Sequence, residues 1–175
     1  MTATNGTLVM NNVIVQDNAA GDHGGGILIT GARSTVTIDN STFQRNSAID
    51  GGGIGTDGHL LDITIRNSVI GGVDDGGAAG AFTAVDGNTA TDEGAGMAIR
   101  SDNSSITLID TQIIGNFAAD GGGGFRHEGY NTTTLTLQGT TQTATFTADS
   151  GTDTFTATAH GYTDGDAIRV SSDTT

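Results

Sequence analysis

The chain has 175 residues, 34% of them hydrophobic and 5% aromatic, with 29 Gly, no Pro and no Trp. So little apolar mass argues against one large round core and for a thin core repeated along an axis, where each layer buries only a few side chains. The formal net charge of −14, with Arg as the sole basic residue type, excludes a phosphate-binding stripe for nucleic acid and suits cations, high salt or a need to stay soluble. Without Cys there are neither disulfides nor thiolate metal sites. No apolar run approaches the length of a membrane span. Residues 1–6 carry neither the basic nor the apolar segment of a signal peptide, so an exported parent is expected to carry its signal outside this chain.

In chain order, the first feature is a repeat opened by an apolar–Thr–apolar triplet. It starts at Leu8, with Val9 in the middle, and returns as Val36-Thr37-Ile38, Ile63-Thr64-Ile65, Ile106-Thr107-Leu108 and Leu135-Thr136-Leu137. The spacings are 28, 27, 43 and 29 residues. The alternation puts two side chains inward and the middle one outward on a strand. A turn column follows, formed by Asn12, Asn40, Asn67 and Asp110, then an apolar column of Val15, Phe43, Ile70 and Ile113. Next come Asn18, Asn46, Asn88 and Asn116, then Ala20, Ala48, Ala90 and Ala118, then Asp22, Asp50, Asp92 and Asp120. A Gly run leads into Ile27, Ile54, Met97 and Phe125.

Each column has a physical reason. Asn tolerates the left-handed backbone of a sharp bend, and its amide can bond the same amide one coil away. Ala fits where a turn packs close to the interior, and Gly lets the backbone turn without a Cβ clash. Helices are excluded by the apolar period of two and by the Gly and Asn content. The expectation is an all-β, right-handed parallel β-helix over residues 6–138, of about five partial coils with three short strands each, stacked about 4.8 Å apart. The long third spacing has a local cause. "NTATDEGAGM" from Asn88 matches "NSAIDGGGI" from Asn46, which marks residues 71–87 as an insertion into a regular coil.

The pattern from Asn40 to Ile54, N-S-x-F-x-x-N-x-A-x-x-G-G-G-I, resembles the repeat of polymorphic outer-membrane proteins and related bacterial β-helix adhesins, within the pectate-lyase-like superfamily. The resemblance covers roughly residues 6–137. It implies a secreted or cell-surface location and an adhesin or passenger role, with carbohydrate or a surface protein as partner. Pectin-degrading enzymes share the architecture, so fold alone does not fix activity. From Gln138 the period is lost. Strands are expected near 143–147, 154–158 and 167–170, in a β-rich segment spanning 139–175 that reads as a truncated module.

Several residues invite chemistry. Asp22, Asp50, Asp92 and Asp120 are expected to stack at one edge. They read either as a row of Ca²⁺ sites or as caps that bond the following Gly amides in Asx-turns. Asp74, Asp75 and Asp86 make the insertion a candidate ligand loop. Paired acids on a β-helix side also suggest polygalacturonase or pectate-lyase chemistry. Here, however, "DHGGG" at Asp22 precedes "VDDG" at Val73, the reverse of the polygalacturonase order, and the basic R-x-K motif is missing because the chain has no Lys. No catalytic residue is therefore assigned. His23, His59, His127 and His160 lack a metal spacing and read as surface turn residues. The Thr column reads as ordinary outward strand positions, since only one Thr per coil lines up as an ice-binding array would need more of. The chain is thus expected to be a non-catalytic surface module. The alternative is a polysaccharide-acting enzyme or carbohydrate-binding β-helix. Open strand edges at its ends predict end-to-end self-association.

Overall fold

The computed structural model describes residues 2–72, 86–128, 131, 133–138 and 154–158, the segments 2–4 and 154–158 by their backbone alone. No helix occurs among them; every element is a strand, and every strand pairing is parallel. The chain winds as a β-solenoid of about four turns.

One full turn illustrates the others. It begins with β5 (Thr35–Asp39), bends into β6 (Thr42–Gln44), then β7 (Ser47–Ala48), and closes through β8 (Ile54–His59). The preceding turn supplies β2 (Thr7–Asn11), β3 (Ile14–Gln16) and β4 (Ile27–Ala32), with β1 (Thr2–Thr4) ahead of them. The third turn supplies β9 (Asp62–Arg66), β10 (Val69–Gly71), β11 (Thr89–Ala90) and β12 (Met97–Ile99). The fourth supplies β13 (Ser105–Ile109), β14 (Gln112–Ile114), β15 (Phe117–Ala118) and β16 (Phe125–His127), followed by β17 (Thr134–Gln138) and β18 (Thr154–Thr158).

These strands stack into four sheets of six, five, four and three strands. A coil thus has four faces where the sequence predicts three strands. The extra face is the two-residue row of β7, β11 and β15, built on the Ala column, with Ala48 pairing Ala90 and Ala90 pairing Ala118. A two-residue strand leaves no alternation to read, which is why it is invisible in the pattern. The strand predicted at 154–158 is present as β18, which pairs parallel with β17 in the six-stranded sheet. The strands expected at 143–147 and 167–170 lie outside the described residues.

The apolar columns register as the repeat implies. Leu8, Val36, Ile63, Ile106 and Leu135 pair in turn, as do Met10, Ile38, Ile65, Leu108 and Leu137. Val15, Phe43, Ile70 and Ile113 form a third row, and Ile27, Ile54, Met97 and Phe125 a fourth. Together they make one continuous core, with Phe43 and the Ile residues of the middle turns wholly buried. Asn12, Asn40, Asn67 and Asp110 all hold the left-handed conformation, φ 45° to 59°.

The second Asn column is the internal scaffold. Asn18 Nδ2 donates to Asn46 Oδ1, Asn46 Nδ2 to Asn88 Oδ1, and Asn88 Nδ2 to Asn116 Oδ1, at 3.0, 3.0 and 2.9 Å. The same three Oδ1 atoms also accept the backbone N–H of the preceding rung. Asn46 and Asn88 are fully buried, so each lost bond would strand a polar group in the core. The ladder crosses the insertion without a break. The coil leaves at Gly72 and resumes at Asp86, which lies directly against it. Gly71 is the last residue of β10 and pairs Ile114, so the start of the expected insertion belongs to the coil.

Candidate functional site

The acidic edge is built by the turn between the two-residue strands and the five-stranded sheet. The turn before Ile54 is one residue shorter than its counterparts before Ile27, Met97 and Phe125. That single residue changes the row. His23 bridges Asp50, and Glu93 bridges Gly121, so the row through Asp50 reads His23, Asp50, Glu93, Gly121. The neighbouring row reads Asp22, Ile49, Asp92, Asp120 by the same register. The four Asp residues therefore do not form one stack; Asp50 steps out of line.

Asp50 is the best-buried carboxylate of the four, its side chain 4% exposed. Its Oδ2 meets Nη1 of Arg100 at 3.1 Å and Nδ1 of His23 at 3.2 Å, and its Oδ1 accepts the backbone N–H of Glu93. His23 Nε2 lies 3.2 Å from Asp22, whose side chain is mostly exposed. Arg100 turns its Nε to Glu128 at 2.8 Å, and Arg126 binds both Glu128 and Glu93. The result is a seam of alternating charge that runs across all four turns. Burial alone would raise the Glu128 carboxyl. The hydrogen bonds and charges of Arg126 and Arg100 outweigh it and hold that carboxyl below its usual range.

Asp50, Asp92 and Glu93 each place one oxygen within 4.8 Å of the others, a spacing a hard cation could bridge. Arginines already occupy two of the three, Arg100 on Asp50 and Arg126 on Glu93, and the His23 ring also lies against Asp50. The local chemistry is that of an internally compensated ion-pair seam. Asp120 sits exposed at the far end of the row, with its N–H bonded to the Asp92 carbonyl.

Asp86 is engaged elsewhere. Arg45 Nη1 meets its carboxylate at 2.9 Å, and Arg45 Nε meets Asp17 at 2.8 Å. The Arg45 N–H also donates to the Asp86 carbonyl. Hydrogen bonding from Arg45 holds the Asp17 carboxyl below its usual range. Arg45 thus clamps the point where the insertion rejoins the coil. Asp74 and Asp75 lie outside the described residues.

The histidines divide. His59 is exposed at the end of β8, as a turn residue would be. His127 is not a surface residue; it is 5% exposed inside β16, in a row with Ile99, Thr56 and Ile29. His23 is half-buried in the seam. His160 lies outside the described residues. The sequence reading passed over Glu93, Arg100, Arg126 and Glu128. A signal for some of these pairs was present: opposite charges one coil apart, as with Asp17 and Arg45 or Arg100 and Glu128, each 28 residues distant.

No family model, curated protein or solved structure matches this chain.

Proposed function

We propose that this chain is a non-catalytic segment of a secreted or cell-surface protein, a stiff solenoid of the adhesin or passenger kind that spaces and displays binding surfaces. The observation that carries the reading is the Asn ladder, whose bonds run from Asn46 to Asn88 and on to Asn116 although residues 73–85 are inserted between the first two. A fold that accepts a loop without losing register is suited to presenting one. The resemblance of the repeat to polymorphic outer-membrane proteins points the same way and rests on the pattern of residues alone.

A second reading has one observation in its favour. Arg100 and Arg126 stand beside Asp50, Glu93 and Glu128 on adjacent coils, the mixture of acid and base that a polysaccharide-acting site would need. Their mutual pairing weighs against it, because each carboxylate is already committed to an arginine. The two readings separate in one assay. The purified chain is incubated with neutral and uronic-acid polysaccharides, and both retention on immobilised glycan and release of new reducing or unsaturated ends are measured. Binding without chain cleavage is expected. Cleavage that disappears in Asp50→Asn would replace the first reading with the second.

A further inference from the structure

The outer surface of the six-stranded sheet carries a regular lattice of hydroxyls. β2, β5, β9, β13 and β17 pair residue for residue over five positions each, without a bulge, and β18 continues the backbone register. One outward column is Val9, Thr37, Thr64, Thr107 and Thr136. The registers reveal a second beside it, two residues earlier on each strand: Thr7, Thr35, Asp62, Ser105 and Thr134. The repeat therefore offers two adjacent hydroxyl-rich outward columns, not one. Eight of these ten positions carry hydroxyls and one, Asp62, is charged. That is an unusually uncharged strip for a molecule of net charge −14.

The spacing of this strip is fixed by the backbone. Neighbouring strands lie about 4.8 Å apart and alternate residues about 6.8 Å apart along a strand. Thr side chains are stiff about χ1, so hydroxyl and methyl groups repeat with the strands instead of averaging over rotamers. The middle column is half-buried between its neighbours, which keeps those Thr side chains low on the sheet. These two columns form a strip with one charge, no aromatic platform for stacking on sugar rings, and oxygens on a two-dimensional grid, bordered on the same face by a third column of Asn11, Asp39, Arg66, Ile109 and Gln138. The strip is matched by a partner that is itself an uncharged oxygen grid. Both repeats lie close to oxygen spacings in hexagonal ice.

We propose that this two-column strip on the outward face of the six-stranded sheet is an ice-binding surface, with Thr37, Thr64, Thr107 and Thr136 and the column of Thr35, Ser105 and Thr134 as the matching hydroxyls. Asp62 is the one charged position in the strip, and Val9 the one apolar position. Adsorption would arise from many weakly held, pre-ordered water positions rather than from any single strong contact.

The test uses the full chain, with a circular dichroism spectrum to show that each variant remains folded. Ice crystal shaping, recrystallisation inhibition and thermal hysteresis are measured for the parent, for Thr64→Tyr and Thr107→Tyr in the middle of the face, for Gln112→Tyr on the four-stranded face, and for Asp62→Thr. The parent and Gln112→Tyr should shape ice. The two central Tyr variants should lose the effect, and Asp62→Thr should strengthen it several-fold. Two outcomes would overturn the proposal: a folded parent that leaves ice growth unchanged, or retained activity in Thr64→Tyr.

Discussion

At the residue scale, the difference between inward and outward positions sets the energetics. Phe43 is fully buried between Val15 and Ile70, whereas Thr37 is half-exposed on the sheet surface. Phe43→Ala should cost about 3–5 kcal/mol of unfolding free energy through lost burial and a cavity, and Thr37→Ala well under about 1 kcal/mol. Urea unfolding checks the pair, and equal small losses would contradict the inward assignment. Leu60 offers the opposite case. It holds φ 56° at a turn where the corresponding turns carry Asn5 and Asn103, and it is 37% exposed. A bulky residue in the left-handed region costs roughly 1–2 kcal/mol, which Asn relieves. Leu60→Asn should therefore raise the unfolding midpoint, while a fall would mean that the Leu side chain contributes more through packing than its backbone loses.

At the scale of elements, the insertion can be tested for dispensability. Gly72 and Gly87 are buried and Asp86 is bound to Arg45, so the removable part is 73–85. Replacing those residues by a short Gly link should preserve the β-rich circular dichroism spectrum. Extending the deletion through Asp86 should lower the melting temperature further by releasing Arg45. If the shorter deletion already abolishes the fold, the inserted residues are structural. The columns that the sequence made legible are those with a strong local cause: alternation in β5, β9 and β13, left-handed turns at Asn40 and Asn67, the amide ladder at Asn46 and Asn88. What stayed hidden had no such signature. The two-residue face lacks alternation. The missing residue before Gly51 shifted Asp50 by one place, which only pairing with His23 reveals. The buried hydroxyls beneath two turns, Ser41 and Ser68 on one side and Ser104 and Thr133 on the other, bind backbone N–H groups of the preceding coil. They read in sequence as ordinary turn residues.

At the scale of the whole molecule, the charged seam links the turns to one another, and its proton dependence follows from Glu128. That carboxyl is held below its ordinary value of 4.5 when folded, so it contributes stability above that pH and loses the contribution as pH falls through the depressed value. Glu128→Gln should melt below the parent at neutral pH. The gap should close in progressively more acid solution, once the parent carboxyl is protonated too. A constant gap by calorimetry would show that Glu128 acts through packing alone. The amide ladder has a further property at this scale, which is direction. Each Oδ1 of the ladder accepts from the coil before, while Nδ2 gives one hydrogen to the next Asn and, in Asn46, Asn88 and Asn116, the other back to a carbonyl of the preceding coil. Each coil consequently presents two donors toward the next, the N–H and the remaining Nδ2 hydrogen of its own Asn. The ladder is therefore polar along the solenoid, its acceptors turned toward the earlier turns and its remaining donors toward the later ones, so the two faces of any one coil are chemically unlike.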